Sequence, residues 1–252
     1  MKYIEYGTQN GPVIILLHGG GFNRWSYREA AMLLRDDHRV ILPTLDGHAG
    51  SDRHFTTIED NAREIITYID ENFAGKVLMI GGLSLGAQVL LEILSQRPDI
   101  CRFALVESAA VIPSKMTNAL IGPAFGSSYA LIKNRRFSKA QFASYHLKDS
   151  LFEEYYRDSC AITKDDLIAF MKANTAYSLK PAVRDTLAKV SVFAGEKETK
   201  EILRSASLIH ETVPGSTLTM LPALLHGQFS MNHPEDYARM VRDILSGRED
   251  ER

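Results

Sequence analysis

The chain predicts an α/β fold built on a mainly parallel sheet, and three observations carry that expectation. Short unalternating apolar runs recur at 12–17 (PVIILL), 39–43 (RVILP), 77–80 (VLMI) and 190–194 (VSVFA). Runs of this length fit strands buried on both faces. Segments with apolar residues at helical spacing lie between them, the alternation that parallel sheets require. One stretch, 76–97, joins the two patterns through a single sharp turn, GLSLG at 82–86.

Residues 2–7 (KYIEYG) alternate weakly and predict an edge strand, with TQNG as the turn that follows. The run at 12–17 enters His18-Gly19-Gly20-Gly21. Residues 24–35 carry helical spacing through Trp25, Ala30, Leu33 and Leu34. The strand at 39–43 leads into the loop TLDGHAGSD. Residues 57–73 form an amphipathic pattern, with Ile58, Ala62, Ile65, Ile66 and Ile69 on one face.

At 76–97 a buried strand gives way to Gly82-Leu83-Ser84-Leu85-Gly86, then to a helix patterned by Leu85, Val89, Leu90 and Ile93. Ser at the apex of a strand–turn–helix is the arrangement of a nucleophile elbow. Gly82 and Gly86 flank it because a Cβ there would meet the neighbouring strand and helix. The Leu85 N–H sits in the first helical turn, where the positive helix end suits a developing oxyanion.

Residues 102–106 (RFALV) predict the next strand. From Pro113 the pattern changes. Residues 113–185 hold many aromatics and no buried-strand run, and 138–147, 150–158 and 164–176 predict helices, with Ser138 and Thr163 as caps. The expected division is a core of 1–112 and 186–252 with an all-helical cap at 113–185. The strand at 190–194 ends in Gly195-Glu196-Lys197-Glu198. A helix at 199–209, a last strand at 217–221 and a closing helix at 234–245, opened by Pro234, complete the chain.

Composition narrows the function. The net charge of −2, with 45% hydrophobic and 24% charged residues, suggests neither nucleic acid nor an acidic membrane surface as partner. The longest apolar run, at 13–17, is too short to span a bilayer. The first residues have no apolar signal core, and Cys101 and Cys160 form no metal-like pair, so free thiols in the cytoplasm are expected. No metal or organic cofactor is implied, and the oligomeric state is unspecified.

HGGG at 18–21, DGHAGSD at 46–52, GLSLG at 82–86, GEKE at 195–198, and His226 followed by HPE at 233–235 occur in that order. As an ordered set they resemble the α/β-hydrolase superfamily over nearly the whole chain, in its cap-bearing, single-domain, carboxylesterase-like branch. The resemblance implies a Ser-His-acid triad. His226, directly after the last strand, is the implied base, with His233 its competitor. Family members carry Asp at the fourth position of a G-x-x-D turn. Glu198 occupies it here, and Glu107, at the end of the strand before the cap, is the second candidate for the acid.

Gly20 is the implied second oxyanion donor beside Leu85, with Gly21 in reserve; His18, Asp46 and His48 resemble loop-bracing residues. Among the cap aromatics, Phe142 and Tyr156 are the expected contacts to an acyl or aryl group. The implied activity is hydrolysis of a small or medium carboxylic ester, a small-molecule substrate, through an acyl-enzyme. Thioester hydrolysis, C–C cleavage, a lyase step or slow-turnover ligand sensing on the same triad are the alternatives.

Overall fold

The computed structural model of the chain describes residues 1–247; the end of the expected core, 248–252, lies outside the described residues. Seven strands form one sheet in the order β1-β3-β2-β4-β5-β6-β7. They are β1 Lys2–Gly7, β2 Val13–Leu17, β3 Arg39–Thr44, β4 Val77–Leu83, β5 Cys101–Glu107, β6 Lys189–Gly195 and β7 Thr217–Leu221. Only β1, at the edge, is antiparallel to its neighbour.

Alternate residues of each strand feed two cores. Ile15, Leu17, Ile41, Ile80, Ala104 and Val192 face one side, against helices α2 (Ile58–Asn72), α3 (Leu85–Gln96) and α8 (Lys200–Thr212). Ile14, Leu16, Val40, Leu42, Met79 and Leu105 face the other, against α1 (Arg28–Leu34) and α10 (Pro234–Ser246). Burial on both faces explains why these strands read as unbroken apolar runs. Each fully buried Leu or Ile contributes about 1.5–3 kcal/mol relative to exposure. Helix α3 is buried on every side from Leu85 to Leu94, so it forms the middle of the molecule.

The strand order sets the site. The chain steps from β2 outward to β3, then crosses back to β4 on the far side of β2. Such a switch point opens a crevice at the carboxyl ends of the adjacent strands. The register Leu17↔Gly82 places the loop after β2 beside the turn after β4.

Four helices, α4 Lys115–Ile132, α5 Arg135–Ser144, α6 Phe152–Ala161 and α7 Lys164–Ala176, stand between β5 and β6. Three correspond to expected helices. Helix α4 does not, because Pro123 and two glycines interrupt its sequence; it forms nonetheless, capped by Ser114 and packed on α7. Ser138 is not a cap. Asn134 caps α5, accepting from the N–H groups of Arg136 and Phe137, and Ser138 is buried inside the helix. Thr163 caps α7, accepting from Asp166 N–H. The expected helix at 24–35 is broken into a 3₁₀ turn, Arg24–Tyr27, and α1. A short helix absent from the sequence expectation, α9 Gln228–Asn232, follows His226.

Candidate active site

The elbow is built around a backbone that only a tight turn holds. Ser84 has φ 54° and ψ −113°, a conformation costing a non-glycine residue about 1–3 kcal/mol. Its N–H donates to Glu107 O at 2.9 Å, and its C=O accepts from Gln88 N–H at 3.0 Å. The flanking glycines are obligatory. A Cβ on Gly82 would lie 2.4 Å from Gly86 O, and one on Gly86 would lie 2.1 Å from Leu17 O. Ser84 is the one half-exposed residue between Met79 and Leu94, so the strain presents its hydroxyl while everything around it is buried.

His226 lies in the loop after β7, and its Nδ1 is 2.7 Å from Glu198 Oε2. Glu198 is locked on its other oxygen: Oε1 accepts from Ser108 Oγ at 2.6 Å and from Gly195 N–H at 2.9 Å. Burial raises the proton affinity of this carboxyl, but the bonds from His226, Ser108 and Gly195 outweigh it and hold the group below the usual carboxylate range. Ser84, Glu198 and His226 line one cavity of about 410 Å³, with Gly20, Phe22 and Met171.

Glu107 does not reach that cavity. Its side chain is buried behind Glu198 and His226, where Oε1 accepts from Ser230 N–H at 3.3 Å and Oε2 has no partner among the described residues. Burial first, and the nearby Glu198 second, push its carboxyl up to about 7 against the opposing Ser230 bonds and His226. His233 stands at the start of α10, 4.0 Å from Asp236; the cavity has no contribution from it.

The loop after β2 is braced by two buried histidines. His18 Nδ1 donates to Gly19 O at 2.9 Å while Nε2 accepts Leu45 N–H at 3.1 Å. His48 Nδ1 donates to Asp46 O at 3.1 Å while Nε2 accepts Gly21 N–H at 3.0 Å. Both rings are therefore neutral, each with its proton on Nδ1. Burial lowers both, His18 well below the usual histidine value and His48 to about 4.

Gly21 has its N–H committed to His48, so the reserve oxyanion donor is spoken for. The N–H groups of Gly20 and Leu85 have no hydrogen-bond partner among the described residues. Glycine is required at 21 by φ 76°, but space does not demand it at 20, where a Cβ would make ordinary contacts of 3.5 Å with Leu85.

The inserted helices reach the site through α7. Phe170 stacks on the His48 ring at 4.5 Å. Asp166 accepts Phe55 N–H at 2.8 Å and faces His54 Nδ1 at 3.0 Å. Asn174 Nδ2 donates to Gln88 Oε1 at 3.1 Å, and Gln88 Nε2 returns a bond to Asn174 O at 2.9 Å. A second, smaller cavity lies beneath these helices. It shares Gly20, Phe22, Tyr145, Phe170 and Met171 with the first and extends to Phe125, Ile132 and Ile162.

The two aromatics expected to touch substrate do not line either cavity. Phe142 is buried among Phe152 and Tyr155, at 5.7 and 5.1 Å between ring centroids. Tyr156 stacks on Phe152 and donates its hydroxyl to Lys133 O at 2.8 Å. The aromatics of α6, Phe152, Tyr155 and Tyr156, crowd within about 100° of one side, yet only Tyr155 lines a cavity, so spacing alone could not separate those turned to it. Ser108 and Gln88 carried no sequence signal as site residues, because their partners lie 90 and 86 positions away.

Residues 14–240 match the model of the alpha/beta hydrolase family. The chain is 20% identical to a pimeloyl-[acyl-carrier protein] methyl ester esterase of Aromatoleum aromaticum, over 94% of this chain and 100% of that protein. It is 27% identical to a thermostable monoacylglycerol lipase of a Bacillus species, over 42% of this chain and 45% of that one. Among solved structures, a thermophilic esterase from Thermogutta terrifontis superposes with a TM-score of 0.79 at 17% identity, covering 98% of this chain and 93% of that one.

Proposed function

The chain belongs to the alpha/beta hydrolase family and is a hydrolase of carboxylesterase type, and we propose that it cleaves a small or medium carboxylic ester through an acyl-enzyme on Ser84. The observation that carries this reading is the convergence of Ser84 and the His226–Glu198 pair on one cavity. Ser84 Oγ attacks the ester carbonyl as His226 Nε2, the ring nitrogen that Glu198 leaves free, takes its proton. The negative oxygen of the tetrahedral intermediate is met by the unpartnered amides of Gly20 and Leu85. His226 then gives the proton to the leaving alcohol. Water, deprotonated by the same ring, attacks the acyl-enzyme and releases the acid.

Glu198 keeps the imidazole in the Nδ1–H tautomer and opposes its charge when it becomes imidazolium. Residues 113–185 serve as a cap, whose inner cavity receives the acyl or aryl group through Met171 and Phe170. A cytoplasmic location fits the two free thiols, Cys101 and Cys160. No helix among the described residues is long and apolar enough to cross a membrane.

A chain-length panel of activated esters and thioesters tests the reading, with Ser84→Ala as control. Turnover of esters that falls by about four to six decades in Ser84→Ala supports it. Retained turnover in Ser84→Ala sinks it. Thioesters far outpacing esters of equal length would move the substrate class. A stoichiometric burst with product release only over many minutes would make the chain a sensor.

A further inference from the structure

From residue 108 to residue 148 the chain has no acidic residue, and it carries Lys115, Lys133, Arg135, Arg136, Lys139 and Lys148. The whole-chain net charge of −2 conceals this segregation. Inside that segment, α4 is uncharged from Met116 to Ile132.

At about 100° per residue, Asn118, Ile121, Phe125, Tyr129 and Ile132 share one side of α4. Ile121 and Ile132 are buried there, and Phe125 and Ile132 line the inner cavity. The opposite side carries Met116, Leu120, Pro123, Ala124 and Leu131, all exposed: Met116 77%, Leu120 60% and Leu131 46%. The polar residue on that stripe, Ser127, turns its hydroxyl back to Pro123 O at 2.9 Å. Helix α4 is thus apolar on its outer face as well as its inner one. Surface helices of globular proteins instead carry polar residues on the face away from the core, and an exposed apolar stripe of this length marks an interaction surface.

Charge decides which partner covers it. Lys115 and Lys133 bracket the helix, and Arg136 and Lys139 follow in α5. None of these four closes an ion pair among the described residues, whereas Arg135 and Lys148 pair with Glu153 and Glu29. A second copy docking symmetrically on this face would bring the same cations against themselves. An anionic lipid surface supplies what the face lacks on both counts, hydrocarbon for the stripe and phosphate for the cations.

We propose that the outer face of α4, with Lys115, Lys133, Arg136 and Lys139 around it, docks on an anionic lipid surface. The helix lies in the interface plane, and its inner face keeps its packing on α7. Docking brings the inner cavity alongside the lipid, separated from it by the thickness of one helix.

Flotation of the full chain with phosphatidylcholine vesicles, with and without phosphatidylglycerol, tests the docking. The chain should float with the anionic vesicles, stay behind with the neutral ones and be released by high salt. Lys133→Ser, Arg136→Ser and Lys139→Ser should each weaken partitioning about five-fold. The double change Met116→Ser with Leu120→Ser should weaken it at least about tenfold. All of these residues are exposed and away from Ser84, so hydrolysis of a short soluble ester should be unchanged and serves as the folding control.

Absence of flotation with either vesicle overturns the proposal, as does flotation that none of the variants alters. A concentration-dependent dimer that the Met116/Leu120 change dissociates would assign the face to a second copy instead. Flotation needs no turnover, so an active chain that does not float and an inactive chain that does separate this proposal from the esterase reading.

Discussion

Ser108 donates its hydroxyl to Glu198 Oε1 at 2.6 Å, on the carboxylate oxygen opposite the one facing His226. Ser108 directly follows β5 and has φ 57°, so a strained residue on one strand end fixes the rotamer of Glu198 beyond the next. A hydrogen bond to a buried charge is worth about 1.5–3 kcal/mol. Ser108→Ala should therefore lower kcat about 10- to 100-fold with KM little changed, because the loss falls on the orientation of His226. An unchanged kcat would mean that Gly195 N–H alone suffices.

The two candidate acids separate in activity. Glu198→Gln removes the charge that opposes the imidazolium and lets the wrong tautomer form; a comparable change in a serine protease costs about four decades. Glu107→Gln should stay within about tenfold of the parent, since Glu107 faces Ser230 N–H rather than His226 Nδ1. Steady-state kinetics on one good ester decides between them, and a crippled Glu107→Gln beside an active Glu198→Gln would reverse the assignment.

Glu107 separates from the rest in its effect on stability against pH. Its carboxyl is pushed up to about 7 from 4.5, chiefly by burial. Between those values the folded chain holds a proton that the unfolded chain has lost. Its contribution is therefore complete below the unfolded value and declines as pH rises through about 7. Glu107→Gln removes that slope. The difference in unfolding free energy should move in the variant's favour by about 3 kcal/mol between pH 4 and pH 8. Buried His18 and His48 slope the opposite way but are common to both proteins and cancel in the difference. Parallel denaturation curves at the two pH values would exclude the raised carboxyl.

Much of the fold was legible because the strands are buried on both faces. A run such as PVIILL has no second reading when helical patterns flank it, and β7 lies where TLTML predicted it. The candidate site was legible where motif and backbone coincide: the strand–turn–helix at Ser84 between two glycines, and His226 just after the last strand, which the fold brings to one cavity. It was illegible where contacts span the chain. Nothing local in Ser108 or Gln88 points to Glu198 or Asn174. Helix α4 was missed because Pro123 and the glycines lower its propensity, and packing on α7 overrides that local signal. Phe142 and Tyr156 turn away from both cavities for a related reason, since an aromatic in an inserted helix faces core or cavity according to packing that spacing does not record.

The proposed oxyanion loop depends on a histidine outside the proposed proton transfers. His48 Nε2 holds Gly21 N–H at 3.0 Å while its ring stacks on Phe170. His48→Phe keeps the stacking and deletes the acceptor. Gly21 is then free to turn, and Gly20 N–H loses its aim at the oxyanion. The expected result is a fall in kcat of about 10- to 100-fold, below the 10²–10³ for outright loss of a donor. The change also strips Asp46 O of its His48 donor, so stability should fall as well, by about 1–3 kcal/mol. A variant of equal kcat would show that the loop is set by His18 and the strand ends alone.

Substitutions in the inserted helices should sort by which space they open. Phe142→Ala leaves a hole among Phe152 and Tyr155, and its cost of about 3–5 kcal/mol falls on the packing of the inserted helices. Turnover of every ester should then drop by a similar factor, with a lower melting temperature. Met171 instead lines both cavities. Met171→Ala removes apolar contact from the acyl or aryl group, worth about 1–3 kcal/mol when that group reaches it. Its effect on kcat/KM should therefore be small for acetyl esters and grow with acyl length until the inner cavity is filled. If Met171→Ala acts equally on acetyl and longer esters, the inner cavity is not the acyl site. The leaving alcohol would then be the group that lies beneath the inserted helices.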